Sequence, residues 1–267
     1  MFEGRIVTFA EKSFDGQVVI VTGGSKGIGR VIAESFLNAG AEVLTCARNT
    51  PETAISTEDR QAEFMNCDVR DYEQIKSVIN FCAERYGRLD ILINNAGGAP
   101  PADSSSVSER FTRSVIDLNL VAPLLFSQEA ARLMKATVDT GVILNISSVS
   151  GMRANPLGVA YGAAKAGVIN ATETLALEWG PSVRVVAITA GLILTEESRS
   201  FYGDDESVAR IAETLPMRRL GDPQDIANAC LFAASDKAEW LSGSNIVIHG
   251  GGDKPSYLNA SNIEEGP

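Results

Sequence analysis

The stretch Gln17-Val18-Val19-Ile20-Val21-Thr22-Gly23-Gly24-Ser25-Lys26-Gly27-Ile28-Gly29 decides the fold. Its first six residues form a short apolar run that predicts a buried strand. The glycines that follow predict a turn leading into a helix over 27–38, which ends at Gly40. Glycines in such a turn let the backbone approach a diphosphate, whose charge the helix N-terminus attracts. Strand, turn and helix together predict the opening of a βαβ unit.

Apolar strands and amphipathic helices alternate along the rest of the chain. Further strands are predicted at 41–46, 63–67, 89–93, 141–146, 183–189 and 245–249, and helices at 72–86, 109–135, 158–179, 207–214 and 223–234. Strands joined by helical crossovers form parallel sheets that are covered on both faces. We therefore predict an α/β fold, a single-domain Rossmann-type doubly wound parallel sheet over 17–252. Residues 1–16 are then an N-terminal extension and 253–267 a C-terminal tail.

Composition narrows the function classes. The 267 residues carry a formal net charge of -11, which argues against nucleic acid or an anionic membrane as partner. The N-terminal residues contain no uninterrupted apolar stretch of the signal-peptide type, and no segment has the roughly 20 apolar residues of a membrane span. The four cysteines lack C-x-x-C spacing, which predicts buried thiols and a cytoplasmic location. With one histidine, we expect no metal site.

Tyr161 and Lys165 are four residues apart in a predicted helix, so their side chains share one face. An ammonium about 5 Å from a phenol would favour phenolate by roughly 3 kcal/mol at an effective dielectric of about 20. That lowers the tyrosine pKa by about two units before burial opposes it. The spacing therefore suggests a tyrosine that exchanges a proton during catalysis. A solvated lysine one turn after an ordinary tyrosine is the simpler alternative.

The glycine turn also has a second interpretation. Residues 23–27 satisfy G-x-S-x-G, the nucleophile-elbow pattern of serine hydrolases, and His249 lies late in the chain as a triad histidine would. In that fold the elbow follows several strands, whereas here it follows the first. The context therefore disfavours a hydrolase.

Four motifs at their spacings resemble the short-chain dehydrogenase/reductase family over about residues 17–252. They are the glycine turn, Asn94-Asn95-Ala96-Gly97 after the fourth strand, Asn119 in a helix, and Ser148 thirteen residues before Tyr161. The resemblance implies that Tyr161 exchanges a proton with a carbonyl or alcohol and that Ser148 hydrogen-bonds the same oxygen. It also implies that Asn119 positions a water that links Lys165 to solvent. Lys165 then lowers the pKa of Tyr161 and holds the ribose hydroxyls of the nicotinamide cofactor. Ser147 is the alternative catalytic serine.

The resemblance also implies a site for a nicotinamide dinucleotide. In it the catalytic residues are Asn119, Ser148, Tyr161 and Lys165, and the cofactor-binding residues are Gly23, Ser25, Lys26, Gly27, Ile28, Gly29, Arg48, Asp68, Val69, Asn95, Ala96, Gly97, Tyr161, Lys165, Gly191, Ile193 and Thr195.

Charge predicts which dinucleotide is bound. NAD sites place an acidic side chain at the end of the second strand, where this chain has Ala47 and Arg48. Arg48 can pair with a 2′-phosphate, and Lys26 offers a second cation. NADPH is therefore the expected cofactor, and NAD is the second choice. The alternative is that Arg48 and Lys26 are ordinary solvated cations on the surface and bind no phosphate.

Two features depart from the family pattern: Thr189-Ala190-Gly191 replaces the usual Pro-Gly, and His249, expected to be structural, replaces an acid. Irregular connections are predicted at 97–108, 148–157 and 190–206. The segments of these that should line the substrate, 97–103, 149–157 and 192–202, are largely apolar, which favours an apolar or amphiphilic ketone or alcohol. Two substrate classes remain open: an alicyclic or steroid-like ketone, and a 3-oxoacyl thioester of the kind that 3-oxoacyl reductases use.

An NADP-binding regulator without activity is disfavoured by the complete proton-transfer set. The resemblance further implies a homo-oligomer, either a dimer or a tetramer.

Overall fold

The computed structural model describes residues 13–254 and contains one seven-stranded, entirely parallel sheet. The strand order is β3-β2-β1-β4-β5-β6-β7, as expected for a doubly wound Rossmann-type fold. This confirms the predicted fold class. The strands are β1 Val18–Thr22, β2 Glu42–Ala47, β3 Glu63–Asn66, β4 Ile91–Asn94, β5 Gly141–Ser148, β6 Val183–Ala190 and β7 Asn245–Ile248.

Eight α-helices connect or follow these strands within the described residues. Three of them, α1, α2 and α8, begin and end where the sequence predicts. The helices are α1 Gly27–Asn38, α2 Tyr72–Tyr86, α3 Glu109–Ile116, α4 Ala122–Thr137, α5 Val159–Trp179, α6 Glu196–Tyr202, α7 Asp205–Thr214 and α8 Pro223–Ala234. Across residues 13–254, none of the helices combines the length and apolar character needed to cross a membrane.

Alternate residues of each strand supply two cores, one on each face of the sheet. On β1, Val19 and Val21 pack with α1 and α8, while Val18 and Ile20 pack with α2 and α4. Phe14, just before the predicted domain start, is buried in the first core with its ring 5.0 Å from that of Phe36. All four cysteines are buried free thiols.

The chain reverses its direction of winding at β1, which is hydrogen-bonded to β2 on one side and β4 on the other. Helices that leave the carboxyl ends of these strands go to opposite faces, so a crevice opens between them. The predicted site residues that follow β1, β2, β4, β5 and β6 therefore converge at one edge of the sheet.

Two elements differ from the sequence prediction. The helix predicted over 109–135 is interrupted by a π-helical turn, Asp117–Val121, which separates α3 from α4. The stretch 190–206, predicted to be irregular, contains α6. Thr195 caps this short helix by accepting from the backbone of Ser198, and the Ser198 hydroxyl accepts from the backbone of Thr195. This reciprocal pair stabilises a helix too short to show hydrophobic periodicity.

Candidate active site

The glycine turn is fixed to the loop after β4 by one hydroxyl and one amide. The Thr22 hydroxyl accepts from the backbone N–H groups of Asn95 and Ala96, each at 3.0 Å. In return, the Asn95 side chain donates to the carbonyls of Thr22 at 3.0 Å and Gly23 at 3.2 Å. Two motifs that are 73 residues apart in sequence are thus joined at the base of the crevice.

Close packing explains why two of the three glycines of the turn, Gly23 and Gly29, cannot carry a side chain. A Cβ on Gly23 would lie 2.9 Å from the Cα of Ala96, and one on Gly29 would lie 2.3 Å from the Asn95 amide nitrogen. Gly27 is different, because its Cβ position faces α6, 3.3 Å from the Glu197 carboxylate. Gly23 and Gly29 therefore let the turn pack on its neighbour, and Gly27 lies on the open side of the turn.

At the carboxyl end of β2, Arg48 is exposed, and its backbone carbonyl accepts from the Asn66 side chain at 2.6 Å. The Asp68 carboxylate is held by both arms of the Arg70 guanidinium, at 2.9 and 2.6 Å. These bonds keep the pKa of Asp68 below its ordinary value. Val69, beside it, is buried. Asp68, one of the predicted cofactor-binding residues, is thus oriented by Arg70, which the sequence analysis did not identify.

A buried network of amides and hydroxyls ties the site to the sheet. Asn94 donates to the side chains of Asn145 at 2.8 Å and Ser127 at 2.9 Å. Asn145 in turn donates to the Thr172 hydroxyl at 2.9 Å. The network joins β4, β5, α4 and α5, and among its members only Asn94 was part of a recognised motif. Polar residues in otherwise apolar runs were the available sequence signal for the other three.

Asn119 lies in the π-helical turn and is fully buried. Its side chain accepts from the backbone N–H of Gly98 at 2.8 Å and donates to the Gly98 carbonyl at 3.0 Å. A Cβ on Gly97 would lie 2.8 Å from the Asn119 oxygen and 3.3 Å from Lys165 Nζ. The inserted residue of the turn thus brings Asn119 against the β4 loop and next to Lys165, as π-bulges at functional sites often do.

Ser148, Tyr161 and Lys165 come together where β5 ends and α5 begins. Ser148 is the last residue of β5 and is hydrogen-bonded to the Tyr161 phenol. Lys165 is 5% exposed, donates to the Ile146 carbonyl at 2.8 Å, and lies with its Nζ 5.7 Å from the centre of the Tyr161 ring. Ser147 donates instead to the Lys165 carbonyl at 3.0 Å, which anchors α5 on the sheet.

The net pKa shift of Tyr161 is upward, opposite to the direction that the Tyr161/Lys165 spacing favours. Burial raises the pKa of Tyr161, and the Ser148 hydrogen bond offsets this only in part. Burial also lowers the pKa of Lys165 to about 8. The spacing places both groups on one face, but desolvation, which disfavours the charged form of each, is the larger effect.

The segment after β6 closes the other side of the crevice. A Cβ on Gly191 would lie 2.7 Å from the Cα of His249, so a glycine is needed at position 191, directly after Ala190 at the place of the usual proline. The Ile193 side chain is buried, and Thr195 caps α6. Lys26 reaches across to this helix and forms a 2.8 Å ion pair with Glu197. Within 13–254, no three histidine, cysteine or acidic side chains are grouped as metal ligands would be.

Comparisons with known proteins agree with this geometry. A family model described as enoyl-(acyl carrier protein) reductase matches residues 23–252. The 7alpha-hydroxysteroid dehydrogenase of Escherichia coli K12 is 34% identical over 89% of this chain and 94% of that protein. The 3alpha-hydroxysteroid dehydrogenase of Mediterraneibacter gnavus is 32% identical over 88% of this chain and 96% of its own length.

Among solved structures, the ligand-free aldohexose dehydrogenase of Thermoplasma acidophilum superimposes with a TM-score of 0.85 at 30% identity, covering 97% of this chain and all of that one. The family model spans residues 23–252, and each of these three proteins matches at least 88% of this chain. This chain therefore belongs to the short-chain dehydrogenase/reductase family and is an oxidoreductase of hydroxyl and keto groups that uses a nicotinamide cofactor.

Proposed function

We propose that the protein is an NADP(H)-dependent enzyme that interconverts an apolar or amphiphilic ketone and its secondary alcohol, with Tyr161 as the general acid/base. The observation that carries this proposal is the contact of Ser148 with Tyr161, with the buried Lys165 one helical turn away. A reactive oxygen placed between the Ser148 and Tyr161 hydroxyls would receive hydrogen bonds from both. Such donors stabilise the negative charge that develops on that oxygen.

The residues at the crevice fit a dinucleotide. Gly27 places no side chain of its own at the start of α1, where a diphosphate would bind, and the loop 95–97 lies next to it. A side chain at position 97 would lie next to Lys165 Nζ, and because Gly97 has none, a ribose can approach the ammonium. When bound, the nicotinamide supplies or accepts the hydride. Ile193 and Thr195, at the start of the next segment, are the proposed carboxamide contacts, and Gly191 sets their path.

The protonation states favour ketone reduction. With its pKa raised, Tyr161 is a neutral phenol near pH 7, which is the form that donates a proton. Below about pH 8 Lys165 is charged, and its positive field favours the phenolate that remains after the proton has left. The same groups run the reverse reaction when the alcohol is in excess.

Cofactor preference rests on Arg48. It is exposed beside Ala47 at the end of β2, where no carboxylate at position 47 repels a 2′-phosphate. Lys26, the second cation proposed from sequence, is engaged by Glu197 in the ligand-free protein. NADP(H) is therefore proposed on the strength of one exposed arginine, and NAD(H) is the second choice.

An alicyclic, steroid-like ketone or alcohol is the proposed substrate. Met152 and Leu157 are 54% and 55% exposed on the loop after β5, and Phe201 is 66% exposed on α6. These side chains offer an apolar mouth of the kind that binds amphiphilic ligands. The two hydroxysteroid dehydrogenases among the relatives support the same class.

A 3-oxoacyl or related thioester is the second candidate, favoured by the description of the matching family model. The family assignment leaves the serine hydrolase without support, and the assembled Ser148–Tyr161–Lys165 group speaks against a non-catalytic regulator. A homo-oligomer also stays a proposal. Val159 and Leu177 give the outer side of α5 two exposed apolar residues that a second copy would cover.

The test is a spectrophotometric panel of steroid, alicyclic and 3-oxoacyl thioester substrates with NADPH and with NADH. We expect the alicyclic ketones with NADPH to give the highest kcat/KM. Tyr161→Phe should lower turnover by about 10²- to 10⁴-fold, the usual contribution of a general acid, with the NADPH dissociation constant unchanged. Tyr86→Phe, away from the site, is the matched control. Full activity of Tyr161→Phe would refute the proposed mechanism.

A further inference from the structure

A carboxylate from α6 lies over the open side of the glycine turn. Glu197 Oε1 is 2.8 Å from Lys26 Nζ, and Oε2 is 3.3 Å from the Cβ position of Gly27, the first residue of α1. The Thr195 side chain, which caps α6, lies 3.8 Å from the same Cβ position. The first turn of α6 thus covers the start of α1.

The N-terminus of α1 lacks the negative groups that other helices of this protein place at their own ends. Lys26, its N-cap residue, makes no side-chain capping bond, and the first turn contains no acidic residue. In contrast, α2, α7 and α8 are capped by their own aspartates at positions 71, 204 and 222. A helix N-terminus favours an anion, and here another helix provides it.

Glu197 is held in its charged form at this position. Partial burial raises the pKa of its carboxyl, but the hydrogen bonds from Lys26, from its own backbone N–H and from Thr195, together with the charge of Lys26, outweigh burial, so the pKa lies below its ordinary value. A second anion at the same place would meet a full negative charge at any pH near neutral. Such an anion is what the glycine turn of a dinucleotide-binding protein receives.

We propose that Glu197 lies at the position where the cofactor diphosphate binds, and that the diphosphate must displace it from Lys26 and from the start of α1 in order to bind. This inference rests on the nicotinamide dinucleotide cofactor of the proposed function. Glu197 is then a residue that sets cofactor affinity by competition, and Lys26 changes its partner from a carboxylate to a phosphate. Because the diphosphate is common to NADPH and NADH, Glu197 weakens both equally and does not choose between them.

The test is calorimetric titration of the ligand-free wild type, Glu197→Gln and Glu196→Gln with NADPH, NADH and ADP-ribose. Glu196 is exposed in the same turn of α6, so its variant carries the same change in net charge and is the matched control. Glutamine at 197 should lower all three dissociation constants by about two- to tenfold, the range for one exposed ion pair and one anion at a helix N-terminus. Glu196→Gln should change them little.

Each alternative outcome has a distinct meaning. Equal gains in Glu197→Gln and Glu196→Gln would reduce the effect to net charge and overturn the proposal. A gain for NADPH without one for NADH and ADP-ribose would place the competition at the 2′-phosphate and also overturn it. If wild type binds the dinucleotides and Glu197→Gln gains nothing, the competition fails while the proposed function stands. If wild type binds no dinucleotide, the proposed function fails first and this inference falls with it.

Discussion

Replacing Lys165 by methionine should abolish catalysis and yet stabilise the ligand-free protein near neutral pH. The ammonium is 5% exposed, and burial lowers its pKa from 10.5 to about 8. Among residues 13–254, no carboxylate forms an ion pair with it, and its recorded hydrogen bond goes to the Ile146 carbonyl. Methionine has a similar length and removes the buried charge.

The magnitude follows from the two pKa values. A lysine protonated at 10.5 when unfolded and at about 8 when folded costs about 3 kcal/mol of stability wherever both states are protonated, that is, below pH 8. Between pH 8 and 10.5 the folded protein releases the proton before the unfolded chain does. Stability of the wild type therefore rises with pH there, and by pH 9.5 it has regained about 2 kcal/mol of the cost.

Methionine forfeits the hydrogen bond to Ile146, which is worth about 1 kcal/mol. Lys165→Met should therefore be more stable than wild type by about 2 kcal/mol at pH 7, and the two should converge near pH 9.5. Urea unfolding of the ligand-free proteins, followed by far-ultraviolet circular dichroism at both pH values, measures this difference. Lys135→Met, at an exposed position, is the control. A difference between Lys165→Met and wild type that does not change with pH would refute the reasoning.

Two further predictions concern cofactor choice and stability. Arg48→Ala should raise the dissociation constant for NADPH about tenfold and leave that for NADH unchanged, because one charge-assisted bond to the 2′-phosphate is lost. Equal effects on both cofactors in calorimetric titrations would rule out the phosphate contact. Arg184 is 8% exposed and donates to the carbonyls of Ala233, in the last turn of α8, and of Leu241, seven residues beyond that helix, each at 2.9 Å. Arg184→Met should lower the free energy of unfolding by about 2 kcal/mol, because these carbonyls lose their donor. Arg184→Lys should recover part of this loss. An unchanged urea midpoint for Arg184→Met would contradict the expectation.

Periodicity and glycine placement predicted most of the fold, because strands buried on both faces and amphipathic helices have distinct apolar periods. The limits of α1, α2 and α8 were predicted correctly. The π-helical turn around Asn119 was missed because one inserted residue does not disturb the apolar period of a long helix. α6 was missed because seven residues are too few to show a period, and its stability comes from the Thr195–Ser198 capping pair.

Motif spacing identified the site residues that lie next to strand ends, but it could not identify the residues that hold them in place. Arg70, which orients Asp68, and Thr22, which joins the glycine turn to the β4 loop, depend on contacts between distant segments. The ion pair of Lys26 with Glu197 is of the same kind, because it spans two helices that are separated by most of the chain. Such contacts are fixed by tertiary packing, for which a single sequence carries no local signal.

Lys165 shows most clearly why spacing and electrostatics must be treated separately. The i, i+4 relation correctly places it on the same face as Tyr161, but the sign of its effect depends on the dielectric around both groups. Buried without a carboxylate partner among the described residues, the ammonium destabilises the fold, and a single carbonyl compensates it only in part. A buried side chain that lowers the free energy of unfolding is retained when the function of the protein requires it. Its closeness to Gly97 and Tyr161, at the floor of the crevice, makes that chemistry the proton transfer proposed for this site.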